Sequence, residues 1–381
     1  MSKKLGRRLR LGMVGGGPGA FIGAVHRTAA RLDDKYELVA AALSSNPEKT
    51  RAAAEDLFIA RPYNSYQEMA EAESKREDGI DLVSIVTPNY THYDIAKTFL
   101  EAGIHVMCDK PMTVTLAEAL ELEQLVKKTG LLFGLTHTYA GYPMVRQIRA
   151  MVQDGELGQI RSVQVEYAQD WLAEPVESKQ ADWRTDPARS GGGGCLGDIA
   201  THAFHMAYFT SGLKPKEIAV NLSTFVPGRR LDDNVQAMLR FEGGANGGLW
   251  SSQVAIGNQN QLRLRIFGDK AGLEWEQENP NYIRFTPLNG QPHILSRGGS
   301  GIGPAATHAT RLPFGHPEGF FEAFAQLYTD MADQITARLE DREPNPQSLT
   351  LPGVQDGVAG LRFIEAALES SRANSVWTPL H

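Results

Sequence analysis

Leu9-Arg10-Leu11-Gly12-Met13-Val14-Gly15-Gly16-Gly17-Pro18-Gly19-Ala20-Phe21-Ile22-Gly23, followed by a helix-like run from Ala24, decides the fold. The order is strand, glycine cluster, helix, the order that the first turn of a dinucleotide-binding βαβ unit requires. Glycine is required because the backbone must turn tightly and come close to a pyrophosphate, whose charge then sits at the positive end of a helix. Gly15 and Gly17 open the pattern well. The third glycine is displaced: Ala20 holds its place between Gly19 and Gly23, and Pro18 points to a slightly different turn. Alone, the stretch also fits a plain glycine-rich turn after a strand. Its position in the N-terminal βαβ unit favours the dinucleotide. The cofactor-facing residues expected here are Gly15, Gly17, Pro18, Gly19, Ala20, Phe21 and Ile22.

Downstream, short apolar runs alternate with helix-like stretches, as in a parallel sheet with crossover helices. Residues 9–14, 36–43, 82–87, 105–108 and 131–135 read as strands, with helices such as 93–102 and 116–128 between them. This predicts a doubly wound Rossmann domain over residues 1–138. From Tyr139 the texture changes to one helix near 142–153 and then segments of period two at 160–169, 217–226, 235–241, 248–256, 262–267 and 272–276. Such a pattern predicts a second α/β domain, residues 139–381, around a large open, mostly antiparallel sheet. The Gly-, Pro- and Thr-rich stretch 297–317 reads as an exposed loop or flap, and helices near 318–338 and 354–371 close the chain, able to fold back on the first domain.

A chain of 381 residues suits two domains, and 42% hydrophobic with 22% charged residues is an ordinary globular balance. A formal charge of −7 argues against nucleic acid as the main partner. The basic start, with Lys3, Lys4, Arg7, Arg8 and Arg10, runs straight into a glycine-broken strand and lacks the apolar region of a signal peptide. No segment offers the ~18 uninterrupted apolar residues of a membrane span. Cys108 and Cys195 have no metal-ligand spacing and suit a reducing compartment. A soluble, cytoplasmic protein is the expectation.

Four further stretches give the chain a family character. The third strand ends in Val86-Thr87-Pro88-Asn89-Tyr90-Thr91-His92, and the fourth runs into Val106-Met107-Cys108-Asp109-Lys110-Pro111. Trp183-Arg184-Thr185-Asp186-Pro187 precedes a glycine run to Gly194, then Gly197-Asp198-Ile199-Ala200-Thr201-His202. Asp356-Gly357 and the segment 363–371 come last. With the glycine turn, these resemble the glucose-fructose oxidoreductase/inositol dehydrogenase (Gfo/Idh/MocA) family over nearly the whole chain. The family's usual Glu-Lys-Pro is Asp109-Lys110-Pro111 here. The resemblance implies a Rossmann domain followed by an α/β domain whose open sheet often forms an oligomer interface, hence a homodimer or homotetramer. It also implies oxidation or reduction of secondary alcohols on sugars, sugar derivatives or cyclitols. Other members are NAD-dependent glycoside-processing enzymes that oxidise the ring transiently, and a few are non-catalytic sensors. Both remain as alternatives.

Cofactor choice rests on the end of the second strand, where a carboxylate would grip the ribose hydroxyls of NAD. Ser44, Ser45 and Asn46 stand there instead, with Lys49 and Arg51 nearby, so NAD or NADP is expected. Thr87, Pro88 and Asn89 are placed by the resemblance near the nicotinamide ribose, beside Asp109 and Lys110, with His92 touching cofactor or substrate; a helix start after Asn89 accounts for them almost as well.

Asp198 and His202 are four apart on a predicted helix and so share a face. As a C–H bond breaks in hydride transfer the hydroxyl proton must also leave, and an Asp-oriented imidazole is suited to take it. Lys110, after a strand, supplies the charge that stabilises a developing alkoxide. By family analogy His202 is the principal acid/base and Lys110 the polariser or proton relay. His205 raises a metal alternative with Asp198 and His202, but no cluster completes four ligands, and no metal is expected. His137 and Tyr139, Asp170 and Trp171, and Trp183 and Arg184 combine aromatic and polar surface suited to a polyol, although Trp and Tyr also fill cores.

Overall fold

The computed structural model describes residues 5–175 and 192–380. It divides into two units, Met1–Gly141 with Phe320–Val358, and Tyr142–Gly319 with Ala359–His381.

In the first unit β1 (Leu9–Gly15), β2 (Tyr36–Ala42), β3 (Arg61–Pro62), β4 (Leu82–Val86), β5 (His105–Cys108) and β6 (Phe133–Leu135) form a parallel sheet ordered β3-β2-β1-β4-β5-β6. Every residue of β4 is buried, as a central strand covered on both faces must be. The crossovers are α1 (Phe21–Leu32), α2 (Pro47–Asp56), α3 (Tyr66–Ser74), α4 (His92–Glu101) and α5 (Leu116–Thr129). Local chemistry sets their ends. Asn46 caps α2, Ser65 caps α3, and Thr115 with Glu118 forms a capping box on α5, which closes at left-handed Gly130. At α1 the N-cap is Ala20, with no side-chain cap. The strand order reverses between β1 and β4, the point outside which open α/β sheets bind ligands. The two-residue β3 carries no readable period in the sequence.

A buried imidazole and a half-buried one make this unit acid-sensitive. His26 on α1 is fully buried, with Nδ1 2.7 Å from Tyr328 Oη and 3.0 Å from Ser84 Oγ. Burial pushes it down from 6.5 to about 4, and burial does the same to His105. The unfolded chain therefore takes up these protons first as pH falls, so stability is intact above 6.5 and declines between 6.5 and 4. For His26 the full effect is on the order of 3 kcal/mol, at 1.36 kcal/mol per pKa unit. Denaturant unfolding measured from pH 7 to 4 should show this loss in the native chain and a shallower decline in His26→Gln; parallel curves would refute it.

The second unit carries a nine-stranded sheet: β7 (Ile160–Ala168), β8 (Pro215–Ser223), β9 (Asn234–Phe241), β10 (Asn246–Ser252), β11 (Gln261–Gly268), β12 (Ala271–Glu276), β13 (Tyr282–Pro287), β14 (His293–Ser296) and β15 (Thr378–Pro379). The order is β14-β13-β12-β11-β7-β10-β9-β8-β15. All neighbours are antiparallel except β7 and β10, which run parallel because the chain crosses through helices between them. One face is covered by α6 (Pro143–Gln153) and α7 (Thr201–Ser211). Residues on the other face alternate outward, as Gln236, Met238 and Arg240 do on β9. Arg265 pairs there with Glu166 and Arg284 with Glu274 (3.1 Å). Exposed pairs of this kind set register and solubility more than stability.

The stretch expected as an exposed flap is in part a short helix, α8 (Pro304–Ala309). At its start Arg297 is buried, pairs with Glu318 at 2.9 Å and donates to the Leu312 carbonyl at 2.7 Å. A buried guanidinium must satisfy its donors, and here it does so by tying the loop down. Of the closing helices, α9 (Phe320–Leu339) belongs to the first unit, where Phe324, Leu327, Tyr328 and Met331 pack on Leu9, Leu11, Val25 and Met107. The unit boundary falls within α10 (Val354–Arg372). Among the described residues, no helix is long and apolar enough to cross a membrane.

Candidate active site

In the first unit the expected cofactor residues line the carboxyl ends of neighbouring strands. After β1 the chain turns through Gly15 and Gly16, both at positive φ (78° and 67°), and Gly19 (81°). A Cβ at Gly15 would lie 2.5 Å from Val86 O and from Thr87 Cγ2, so the turn and the end of β4 touch backbone to backbone. At Gly23 a Cβ would lie 2.2 Å from Gly16 O. Gly23 therefore does the helix-packing work of the third glycine, three places after Ala20. Arg27 donates to Gly16 O and braces the turn from α1. Pro18 and Gly19 are exposed, as is Phe21, and Ala20 at the N-cap offers the first amides of α1 no side-chain hydrogen bond. Such a cradle fits a dinucleotide pyrophosphate: it has room only where side chains are missing, and its amides face the positive helix end.

At the end of β2, Ser44 Oγ accepts from Asn46 N (3.1 Å), and Asn46 Oδ1 accepts from Glu48 N and Lys49 N. Those two side chains serve the start of α2, while Ser45 is exposed. After β4, Thr91 Oγ1 donates to Thr87 Oγ1 (2.7 Å) in the turn Asn89–Thr91, and Asn89 is buried. His92 is fully buried, its ring nitrogens 2.8 Å from Pro111 O and from Thr87 O, so it staples the ends of β4 and β5 together.

After β5, Asp109 Oδ1 accepts from the Lys110 amide (3.0 Å) and from Thr136 Oγ1 (2.6 Å). The aspartate thus closes on its own neighbour and on the end of β6. Lys110 is half-buried, and its bond to Pro111 is cis. His137 and Tyr139 follow β6 and are both buried. Val86 to His92, Asp109 to Pro111 and His137 to Tyr139 therefore form a row beside the glycine cradle, in the strand order β1-β4-β5-β6.

In the second unit, Asp198 lies in a single π-turn, Leu196–Ala200, that leads into α7 with His202. Turns with this extra residue recur at functional sites because they re-aim a side chain. Asp232 holds the turn: its two carboxylate oxygens accept from Gly194 N and Leu196 N, each at 2.7 Å. Burial raises the Asp232 carboxyl to about 6 against the pull of those amides. Asp198 Oδ2 accepts from Gln253 Nε2 at 2.9 Å. His202 is buried, with the Tyr167 ring 6.2 Å away. Asp170 Oδ2 accepts from Gly257 N, and Trp171 donates to Gln169, both at the end of β7. His205 packs against Phe209 and Tyr208 at 5.2 and 5.1 Å between ring centres. Among the described residues no His, Cys, Asp and Glu group is arranged to hold a metal. Cys195 is buried, and burial raises its thiol well above the ordinary value. Trp183 and Arg184 lie outside the described residues. Asp232 and Gln253 escaped the sequence reading. The run Asp232-Asp233-Asn234 entering a strand is the one signal that could have flagged the first.

Residues 9–137 match the model of an oxidoreductase family with an NAD-binding Rossmann fold, and residues 145–274 match the GFO/IDH/MocA C-terminal domain. The crystal structure of an oxidoreductase from Sinorhizobium meliloti is 48% identical, covers 97% of this chain and 99% of its own, and superposes with a TM-score of 0.89. An inositol dehydrogenase homologue from Azotobacter vinelandii, complexed with NADH and myo-inositol, is 35% identical with a TM-score of 0.90 over 99% of both chains. Levoglucosan dehydrogenase of Pseudarthrobacter phenanthrenivorans is 29% identical over 73% of this chain and 76% of its own. The chain therefore belongs to the GFO/IDH/MocA family, an NAD-binding oxidoreductase built as a Rossmann domain followed by that family's C-terminal domain.

Proposed function

We propose that this oxidoreductase moves a hydride to or from a secondary alcohol carbon of a sugar, sugar derivative or cyclitol. The observation that carries the reading is Lys110 at the carboxyl end of β5, in the same row of strand ends as the glycine cradle. Relatives named for inositol and levoglucosan support the substrate class. Bound nicotinamide supplies the hydride acceptor or donor. Lys110 donates to the carbinol oxygen and stabilises its developing negative charge. His202 takes the hydroxyl proton in the oxidative direction, and Asp198 holds the imidazole and stabilises the imidazolium. His137, Tyr139, Asp170, Trp171, Trp183 and Arg184 are proposed to contact the ring and its hydroxyls. NAD and NADP are both compatible with Ser44 and Ser45, because no carboxylate stands there to repel a 2′-phosphate.

The test is absorbance at the reduced-nicotinamide band, with NAD and NADP in turn, against inositols, sugars, anhydrosugars, sugar acids and glycosides. Net reduction by a polyol class supports the proposal. Glycoside cleavage without net reduction, or dinucleotide binding with no turnover, would replace it by transient ring oxidation or by a sensor. We further propose a homodimer or homotetramer seated on the open sheet face, where Met238 is 55% exposed amid Gln164, Gln236 and Trp250. Light scattering should show the native chain as an oligomer and Met238→Glu shifted toward monomer; unchanged mass in the variant would count against this face.

A further inference from the structure

We propose that Gln253 is a positioning residue for the hydride-transfer reaction, holding the Asp198 carboxylate in the orientation that serves His202. The proposal rests on the roles given to Asp198 and His202 above.

Gln253 stands one residue past β10 and is 3% exposed. Its backbone N–H donates to Asp233 O at 2.9 Å and its carbonyl accepts from Leu172 N at 3.1 Å, so its main chain is fixed on both sides. From that anchored position Nε2 donates to Asp198 Oδ2 at 2.9 Å. The far side of the contact is anchored as well. Asp232 accepts the amides of Gly194 and Leu196, its carbonyl accepts Cys195 N at 2.9 Å, and Asp198 N donates to Gly194 O at 3.0 Å. A carboxylate on a π-turn thus accepts a hydrogen bond from a side chain 55 positions along the chain.

The choice of an amide has a chemical reason. A carboxylate that orients an imidazole must keep its charge, since that charge stabilises the imidazolium formed when the proton is taken. Arginine or lysine at position 253 would hold Asp198 equally well but would spend its charge in an ion pair. A neutral N–H donor fixes the rotamer and leaves the charge available.

Gln253→Leu removes the donor at similar volume, and Gln253→Glu replaces it with a like charge. Gln253→Leu should lower kcat about 10- to 100-fold, the range for losing a hydrogen bond to a charged group, with dinucleotide affinity unchanged. With this donor removed Asp198 holds a proton to higher pH, so the acidic limb of kcat/KM should move upward in Gln253→Leu and further in Gln253→Glu. Among the described residues, the titratable groups about the turn include Cys195, Asp232, Asp233 with Arg229, His202 with Tyr167, and His205 with Tyr208, and none is altered. A lowered kcat with an unmoved limb would mean a structural role and overturn the proposal, as would activity within about threefold of native on the scale expected for such a bond. Should Gln253→Leu not fold, Gln253→Asn and Gln253→Glu provide the same readout. Asp198→Asn is measured beside them. Full activity in that variant would remove Asp198 from catalysis, whereas its loss with an indifferent Gln253 would sink this inference alone.

Discussion

Lys110→Met is expected to lower kcat by about 10²- to 10⁴-fold, the range for removing one proton-transfer or charge-stabilising group. Methionine keeps the length and packing of the lysine stem and deletes only the ammonium, so the fold should be undisturbed. Dinucleotide binding should survive, because in the proposed site the pyrophosphate is held by backbone amides of the glycine cradle and the uncapped start of α1 rather than by this side chain. Reduced-dinucleotide fluorescence titration and steady-state turnover separate the two effects. Lys110→Arg should not restore the rate, since a planar guanidinium presents its donors in a different geometry from a compact ammonium. Turnover near native in Lys110→Met would remove this residue from the chemistry. Loss of cofactor binding in step with turnover would make it a cofactor ligand instead.

Gly23→Val is expected to abolish dinucleotide binding and to destabilise the first unit by at least 1–3 kcal/mol, about the cost of overpacking a tight contact. The added Cβ would sit 2.2 Å from Gly16 O and 2.5 Å from Gly16 Cα, both backbone atoms of the turn itself. No side chain can swing away to make room, so either α1 tilts off the sheet or the turn opens, and in both cases the cradle is lost. The opposite result is expected at Ala20→Gly. Ala20 sits at the N-cap in an extended conformation that any residue adopts, so the strict third glycine of the fingerprint is not needed there. Thermal unfolding with and without NAD checks both variants. Native-like binding by Gly23→Val would mean that the close approach does not govern the site.

The contrast between Ala20 and Gly23 shows how far the pattern of residues can be read. A local requirement writes itself into neighbouring positions: a positive φ at Gly15, a cap at Asn46 or Thr115, an apolar run at β4. Which glycine meets which backbone depends on the angle at which α1 leaves the turn, and that is set by packing. The first unit was legible for the same reason. Its central strands are buried and α2, α3 and α5 carry side-chain caps, so β1, β2, β4 and β5 lie where the apolar runs predicted them, within a residue or two. In the second unit β13, β14 and β15 were missed: β14 and β15 are short and lie at the sheet edges, and β13 buries only Ile283. The parallel β7–β10 pair has no local signature at all.

By itself, then, the order of residues determined a dinucleotide-binding βαβ start and a second domain around an open sheet, and it singled out Lys110, Asp198 and His202, the residues proposed for hydride transfer. Only the tertiary structure decided that Gly23 is the packing glycine, that Asp109 closes on Thr136, that Arg297 ties down the expected flap, and that Asp232 and Gln253 hold the turn bearing Asp198. The physical reason is range. Backbone conformation and amphipathic period act over a few neighbouring residues and leave a local record, whereas a buried polar group needs a partner wherever the fold happens to bring one, and that partner's distance along the chain leaves no trace in either sequence neighbourhood.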